Sequence, residues 1–123
     1  MPFGKKVLLV GDTQKVKVFR GLLEQQGVLT TFTPNIERAL ALAKSGPPDG
    51  IIFILPVYWE SVSDFVAKIR GEKLLERVPI IYLGDFIEAN DQLILKRQGV
   101  YTMTLGPVPE VEAVRFIMKI IGA

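Results

Sequence analysis

Hydrophobic residues along this chain alternate between short continuous runs and segments in which they recur at helical spacing. Five runs have the length and composition of β-strands, at residues 6–10, 28–32, 51–55, 80–83 and 100–104. Apolar residues three and four apart predict a helix after each run, and the fourth of these helices spans residues 86–98. Glycine and proline separate the segments, as at Gly27, 46–48, Gly84 and Gly99. The pattern therefore predicts five strand–helix units.

Strands that alternate with helices predict a parallel sheet covered by helices on both faces, because parallel neighbours require crossover connections. Predicted strands 1, 3 and 4 are almost continuously apolar, which is typical of central strands buried on both faces. Strands 2 and 5 contain threonines in a mixed pattern, which favours the edges of the sheet. We therefore predict one α/β domain over residues 1–123, with the strand order 2-1-3-4-5 and five helices in a three-layer sandwich.

Composition removes several classes of chemistry. The sequence contains no cysteine and no histidine, which excludes disulfides, thiolate catalysis, serine triads and histidine phosphotransfer. No apolar run approaches the roughly 20 residues that span a bilayer, so we expect no membrane insertion and a cytoplasmic protein. The net charge is only +2, and Lys15, Lys17 and Arg20 are interpreted as a solvated helix face rather than a nucleic-acid site.

Four segments of the chain resemble those of the response-regulator receiver domains, a CheY-like family with the flavodoxin-like fold. They are Lys5 to Asp12, Pro48 to Ile54, Val78 to Gly84 and Gly99 to Pro107, and they occur in the family's order. In that family, the first strand ends in an acidic pair that holds Mg²⁺ and the third ends in a phosphorylated aspartate. The fourth strand ends in a threonine or serine, and the fifth leads into a lysine–proline turn.

The resemblance implies that most of these chemical groups are missing here. The phosphoacceptor position is Ile54, the hydroxyl position is Gly84 and the lysine position is Gly106. Of the acidic pair only Asp12 remains, because Gly11 occupies the other position. Phosphoryl transfer depends on positioning and charge compensation, so we expect this chain not to accept a phosphoryl group.

A shifted alignment does not restore the site. No carboxylate lies between Asp49 and Glu60, no serine or threonine between Ser63 and Thr102, and no lysine between Lys96 and Lys119. Asp49 precedes Ile54 by five residues, so at about 3.3 Å per residue it lies about 16 Å away, at the other end of the strand.

The crevice at the carboxyl ends of the strands has two interpretations as a binding site. Asp85 could approach Asp12 to form a metal site, but two solvated loop carboxylates are favoured, and we expect no Mg²⁺ and no other cofactor. The glycines at this edge could admit a ligand phosphate to the backbone, or could shape turns around a vacated pocket. No dinucleotide fingerprint or phosphate-binding loop is present.

Two groups of residues are candidate partner contacts. Tyr58 and Trp59 follow strand 3, where they could bind a partner or fold over the vacated pocket. Phe116, Met118 and Ile120 exceed what one buried stripe of helix 5 requires, which indicates either a partner or a deeply buried helix. The resemblance implies that a protein partner or a second copy would use the face formed by helix 4, strand 5 and helix 5.

The sequence thus predicts a receiver-like module of a bacterial signalling system that acts through protein–protein interaction and is not an enzyme. Two alternatives stay open at this point. One is a receiver that works in phosphorelay by an atypical route, such as phosphate bound non-covalently. The other is a flavodoxin-like binder of a small ligand.

Overall fold

The strands and helices follow the predicted alternation. The structure, a computed structural model, describes residues 4–11, 13–54, 59–84, 88–104 and 109–122. The strands are Lys6–Gly11 (β1), Leu29–Thr33 (β2), Gly50–Ile54 (β3), Ile80–Gly84 (β4) and Val100–Thr104 (β5). The helices are Thr13–Gln25 (α1), Ile36–Ser45 (α2), Trp59–Ile69 (α3), Ala89–Arg97 (α4) and Glu110–Ile121 (α5).

The five strands form one parallel sheet in the order β2-β1-β3-β4-β5, which confirms the predicted topology. Every residue of β3 and β4 is buried, whereas residues of β2 and β5 reach solvent. The continuous apolar runs therefore belong to strands that are covered on both faces, and the threonine-containing strands are the edges.

Alternate residues of the strands supply two separate cores, one on each face of the sheet. The first core joins Leu8, Ile51 and Phe53 to buried residues of α2, α3 and α4, and Phe53 meets Phe65 edge-to-face at 5.1 Å. The second core joins Leu9, Ile52 and Ile54 to α1 and α5. The result is the predicted three-layer sandwich, with α1 and α5 on one side and α2, α3 and α4 on the other.

The start of α3 differs from the sequence-based expectation. The segment from Ser61 to Asp64 reads as a capping box, which would start the helix after Ser61. The helix begins instead at Trp59. The buried stripe of Val62, Val66 and Ile69 is helical with either start, so it does not depend on the capping box.

Polar contacts hold the amino-terminal edge of the sheet together. The Asp49 carboxylate accepts a hydrogen bond of 2.8 Å from the backbone N–H of Lys6, next to the pairing of β1 with β3. Arg70, at the end of α3, donates to the backbone carbonyls of Glu76 and Val78 at 2.9 and 2.8 Å. Burial lowers the pKa of the Arg70 guanidinium, because desolvation disfavours its charged form.

The helices are short and most of them have one polar face. Within the described ranges, none of them combines the length and apolar character that a membrane crossing requires.

Candidate functional site

The carboxyl ends of the three central strands lie side by side. Gly11 at the end of β1 pairs with Ile54 at the end of β3, and Ile54 pairs with Leu83 of β4 on its other side. Gly84 follows Leu83 and pairs with Thr104, the last residue of β5. Ligand sites of open parallel sheets lie at this edge, where the strand order reverses. The candidate site is therefore built around Gly11, Ile54 and Gly84.

Ile54 is fully buried, with 0% of its surface exposed. It belongs to the core between the sheet and helices α1 and α5, in the same cluster as Val16, Phe19 and Ile117. The structure therefore places a hydrocarbon side chain in an apolar environment at the residue that the sequence analysis assigns to the phosphoacceptor position. An isoleucine has neither a nucleophilic atom nor a metal ligand to offer.

Gly84, which the sequence analysis assigns to the hydroxyl position, is buried and presents only backbone. Its neighbour Thr104 has a hydroxyl, which sequence spacing alone does not relate to Gly84. Side chains alternate along β5, and Met103 lies in the α1–α5 core with Ile54, so Thr104 points to the opposite face of the sheet. Thr104 therefore does not replace the missing hydroxyl beside Ile54.

The remaining polar side chain described at this edge is that of Thr33, at the end of β2. Its hydroxyl accepts a hydrogen bond of 3.1 Å from the backbone N–H of Asn35, and the Asn35 side chain in turn caps α2. Thr33 thus has a local structural role in the turn from β2 to α2.

Several predicted site residues fall outside the described part of the chain. These are Asp12, Tyr58, Asp85 and Gly106, and for Trp59 only its position as the first residue of α3 is described. In the described ranges, no three acidic residues lie close enough together to hold a metal ion. The idea of an Asp12–Asp85 metal site, and the expectation that the chain holds no Mg²⁺, both stay predictions.

Asp49 lies at the amino-terminal end of β3, whereas Ile54 lies at the carboxyl end of the same strand. Its carboxylate is hydrogen-bonded to the start of β1. The position deduced from strand length is confirmed, and Asp49 is not a substitute nucleophile.

The three candidate contacts on α5 do not form one surface. Phe116 and Ile120 are four residues apart and lie on the same side of the helix, and Phe116 packs edge-to-face on Tyr101 of β5 at 6.5 Å. Met118 lies two residues from each, about 200° around the helix at 100° per residue. All three are half-buried and pack against the α1–α5 core.

A shallow groove of about 440 Å³ lies between α4, β5 and α5. Its most exposed large apolar side chains are Tyr101 and Leu93, with 48% and 46% of their surfaces exposed. Sequence patterns single out neither residue, because Leu93 lies on a weakly amphipathic helix and Tyr101 reads as an ordinary strand residue. We call this groove the α4–β5–α5 groove. Its lining consists of Ala89, Gln92, Leu93, Lys96, Val100, Tyr101, Thr102 and Phe116.

The chain is similar in sequence to response regulators. It is 25% identical over 119 residues to the polar-differentiation response regulator DivK of Brucella anthropi, with 96% of this chain and 97% of the relative covered. A scan against models of known protein families found no match.

Solved receiver structures superpose on nearly the whole chain. The chemotaxis protein CheY4 of Vibrio cholerae matches with a TM-score of 0.84 at 18% identity, covering 96% of this chain and 99% of that one. The receiver domain of the sensor histidine kinase PA1611 of Pseudomonas aeruginosa matches with a TM-score of 0.77 at 25% identity. That alignment covers 98% of this chain and 100% of the other, whose structure has a magnesium ion coordinated in the active-site cleft.

The chain thus has the CheY-like receiver fold and is similar in sequence to response regulators. These relatives are signalling domains, and the resemblance stated from the sequence is confirmed.

Substituting a carboxylate for the buried side chain tests the apolar character of the site. We expect Ile54→Asp to lower the free energy of unfolding by about 3 kcal/mol or more at pH 7, because it places a charge in a sealed core. Burial raises the pKa of the introduced carboxyl above its unfolded value of about 3.9. The loss should therefore be smallest below that value and grow as the pH rises toward the folded pKa.

The matched control is Ile54→Asn, which changes the packing similarly but has no charge to titrate. Urea denaturation between pH 3.5 and 8, about the range over which such a carboxyl titrates, measures both variants. Equal, pH-independent losses for the two would show that the end of β3 is not apolar.

Proposed function

We propose that this chain is a receiver-like signalling module of a bacterial two-component or related regulatory system, acting without aspartyl phosphorylation. The observation that supports this most strongly is Ile54, a fully buried hydrocarbon side chain at the phosphoacceptor position. The module would act by binding a protein in the cytoplasm, and this binding would be either constitutive or controlled by another input. It would need no cofactor.

Electrostatics supports the loss of phosphoryl chemistry independently of the nucleophile. A phosphoryl group and its Mg²⁺ bring concentrated charge, which needs carboxylates for the metal and a cation or hydroxyl for the phosphoryl oxygens. Gly11, Ile54 and Gly84 offer no such side-chain group where the three central strands end. An anion placed there would meet the apolar core between the sheet and α1 and α5 without compensation.

The α4–β5–α5 groove is the surface that we assign to partner binding. Leu93 and Tyr101 expose apolar surface on either side of it, and Lys96 adds a positive charge. Aromatic residues at the centre of an interface contribute much of its affinity, because they bury a large area at low entropic cost. The groove suits a partner that inserts one apolar side chain beside Tyr101 and presents a carboxylate to Lys96.

Phosphoryl mimicry tests the first half of the proposal. We expect the amide resonances of the protein to stay in place when beryllofluoride and Mg²⁺ are added, because no carboxylate is available at Ile54 to bind the mimic. The measurement is a ¹H–¹⁵N correlation spectrum with and without the mimic, with an active receiver domain as the positive control. Shifts concentrated at Gly11, Ile54 and Gly84 would contradict the proposal and favour an atypical phosphorelay role.

Site-specific photocrosslinking tests the second half. A photoreactive phenylalanine analogue in place of Leu93 or Tyr101 should yield a crosslinked protein, either a partner or a second copy of the chain, in the native host. The matched control is the same analogue in place of Val18, which is 47% exposed on α1 and lies outside the groove.

Leu93→Asp should then weaken binding of the crosslinked protein by tenfold or more, that is by about 1.4 kcal/mol. Val18→Asp should leave that affinity unchanged. Crosslinks of equal yield at Val18, or none at the groove, would rule out this surface.

A further inference from the structure

The end of β1 is closed against β3 by its backbone. Gly11 has a φ of +152°, a conformation that L side chains rarely adopt. A Cβ atom added to Gly11 would lie 3.0 Å from the carbonyl carbon and 3.2 Å from the Cβ of Ile54, and closer still to the Ile54 carbonyl oxygen. Two separate constraints, one conformational and one steric, therefore exclude a side chain at this position.

The obstructing group cannot move aside cheaply. It is the backbone of Ile54, which pairs with Gly11 on one side and with Leu83 on the other. Moving it would disturb the pairing of β3 with both of its neighbours and the packing of a fully buried side chain. By contrast, the contact that a Cβ on Gly50 would make is with the side-chain methyl of Ile121.

Gly11 combines a conformational and a steric constraint, and the other glycines with described surroundings do not. Gly27 also has a positive φ, of +82°, but an added Cβ there would meet nothing within 4 Å. Gly21, in the middle of α1, has open space and no positive φ. Among these glycines, Gly11 alone combines a positive φ with a backbone clash.

We infer that the contact between Gly11 and the Ile54 carbonyl is a backbone lock that prevents the acidic metal site from being rebuilt in this fold. The inference rests on the proposed function and extends it: the chemistry is lost through the course of the backbone as well as through side-chain identity. Gly11 occupies the position of one acidic residue of the family's pair, so Ile54→Asp alone would restore the phosphoacceptor carboxylate but leave Asp12 as the only member of the pair. Adding the carboxylate that Gly11 lacks would require β1 and β3 to separate.

Alanine substitutions at three glycines test the lock itself by thermal unfolding. Gly21→Ala should raise the Tm by about 2–4 °C, because alanine favours an exposed helix interior. Gly27→Ala should lower the Tm by about 4 °C, through the positive φ alone. Gly11→Ala should lower it by about 10 °C or more, because the backbone clash adds to the conformational strain. A loss at Gly11 no larger than that at Gly27 would overturn the inference.

Restoring the carboxylates tests the consequence of the backbone lock, which is that the metal site cannot be rebuilt. We expect neither Ile54→Asp nor the double variant Gly11→Asp/Ile54→Asp to bind Mg²⁺. The measurement is a titration with MgCl₂ in which binding would appear as shifts of the amide resonances. We expect the double variant to unfold at a lower temperature than Ile54→Asp alone. A double variant as stable as Ile54→Asp that binds Mg²⁺ at millimolar concentration would disprove the lock.

The two hypotheses fail in different experiments. A response of the unmodified protein to beryllofluoride would refute the proposed function, whatever the glycine variants show. Recovery of Mg²⁺ binding in the double variant would refute the lock and leave the proposal for the unmodified protein standing.

Discussion

The burial of Ile54 between β1 and β4 is the constraint on which the carboxyl edge of this molecule depends. Complete burial of an isoleucine side chain contributes about 1.5–3 kcal/mol, whereas an unpaired carboxylate in the same place would cost several kcal/mol. Gly11 and Leu83, its partners in the neighbouring strands, close the sheet around it. The end of β3 is thus part of the hydrophobic core here.

The candidate site and the proposed binding surface lie in different parts of the fold. The α4–β5–α5 groove involves the edge strand and two surface helices, with Leu93 and Tyr101 half-exposed. The end of β3 lies in the interior, and its packing involves mainly α1 and α5. A protein can therefore lose the chemistry at the end of β3 and keep a binding surface on β5.

Much of this architecture is predictable from the sequence, because central parallel strands have continuous apolar runs and edge strands do not. The absence of the required side chains from long stretches also predicts the loss of the site, and that loss stays a prediction. Features that depend on contacts between distant segments are not predictable in this way. The approach of Gly11 to the Ile54 carbonyl depends on strand register, and the groove combines Leu93 and Tyr101 from different elements. The capping box at Ser61 did not predict the start of α3, because the helix begins two residues earlier, at Trp59.

The central claim is that the receiver fold here no longer accepts a phosphoryl group. The most direct measurement is the intact mass of the purified protein after incubation with acetyl phosphate and Mg²⁺, before and after treatment with hydroxylamine. The account predicts an unchanged mass under conditions that phosphorylate an active receiver. A gain of one phosphoryl group that hydroxylamine removes, the signature of an acyl phosphate, would contradict it.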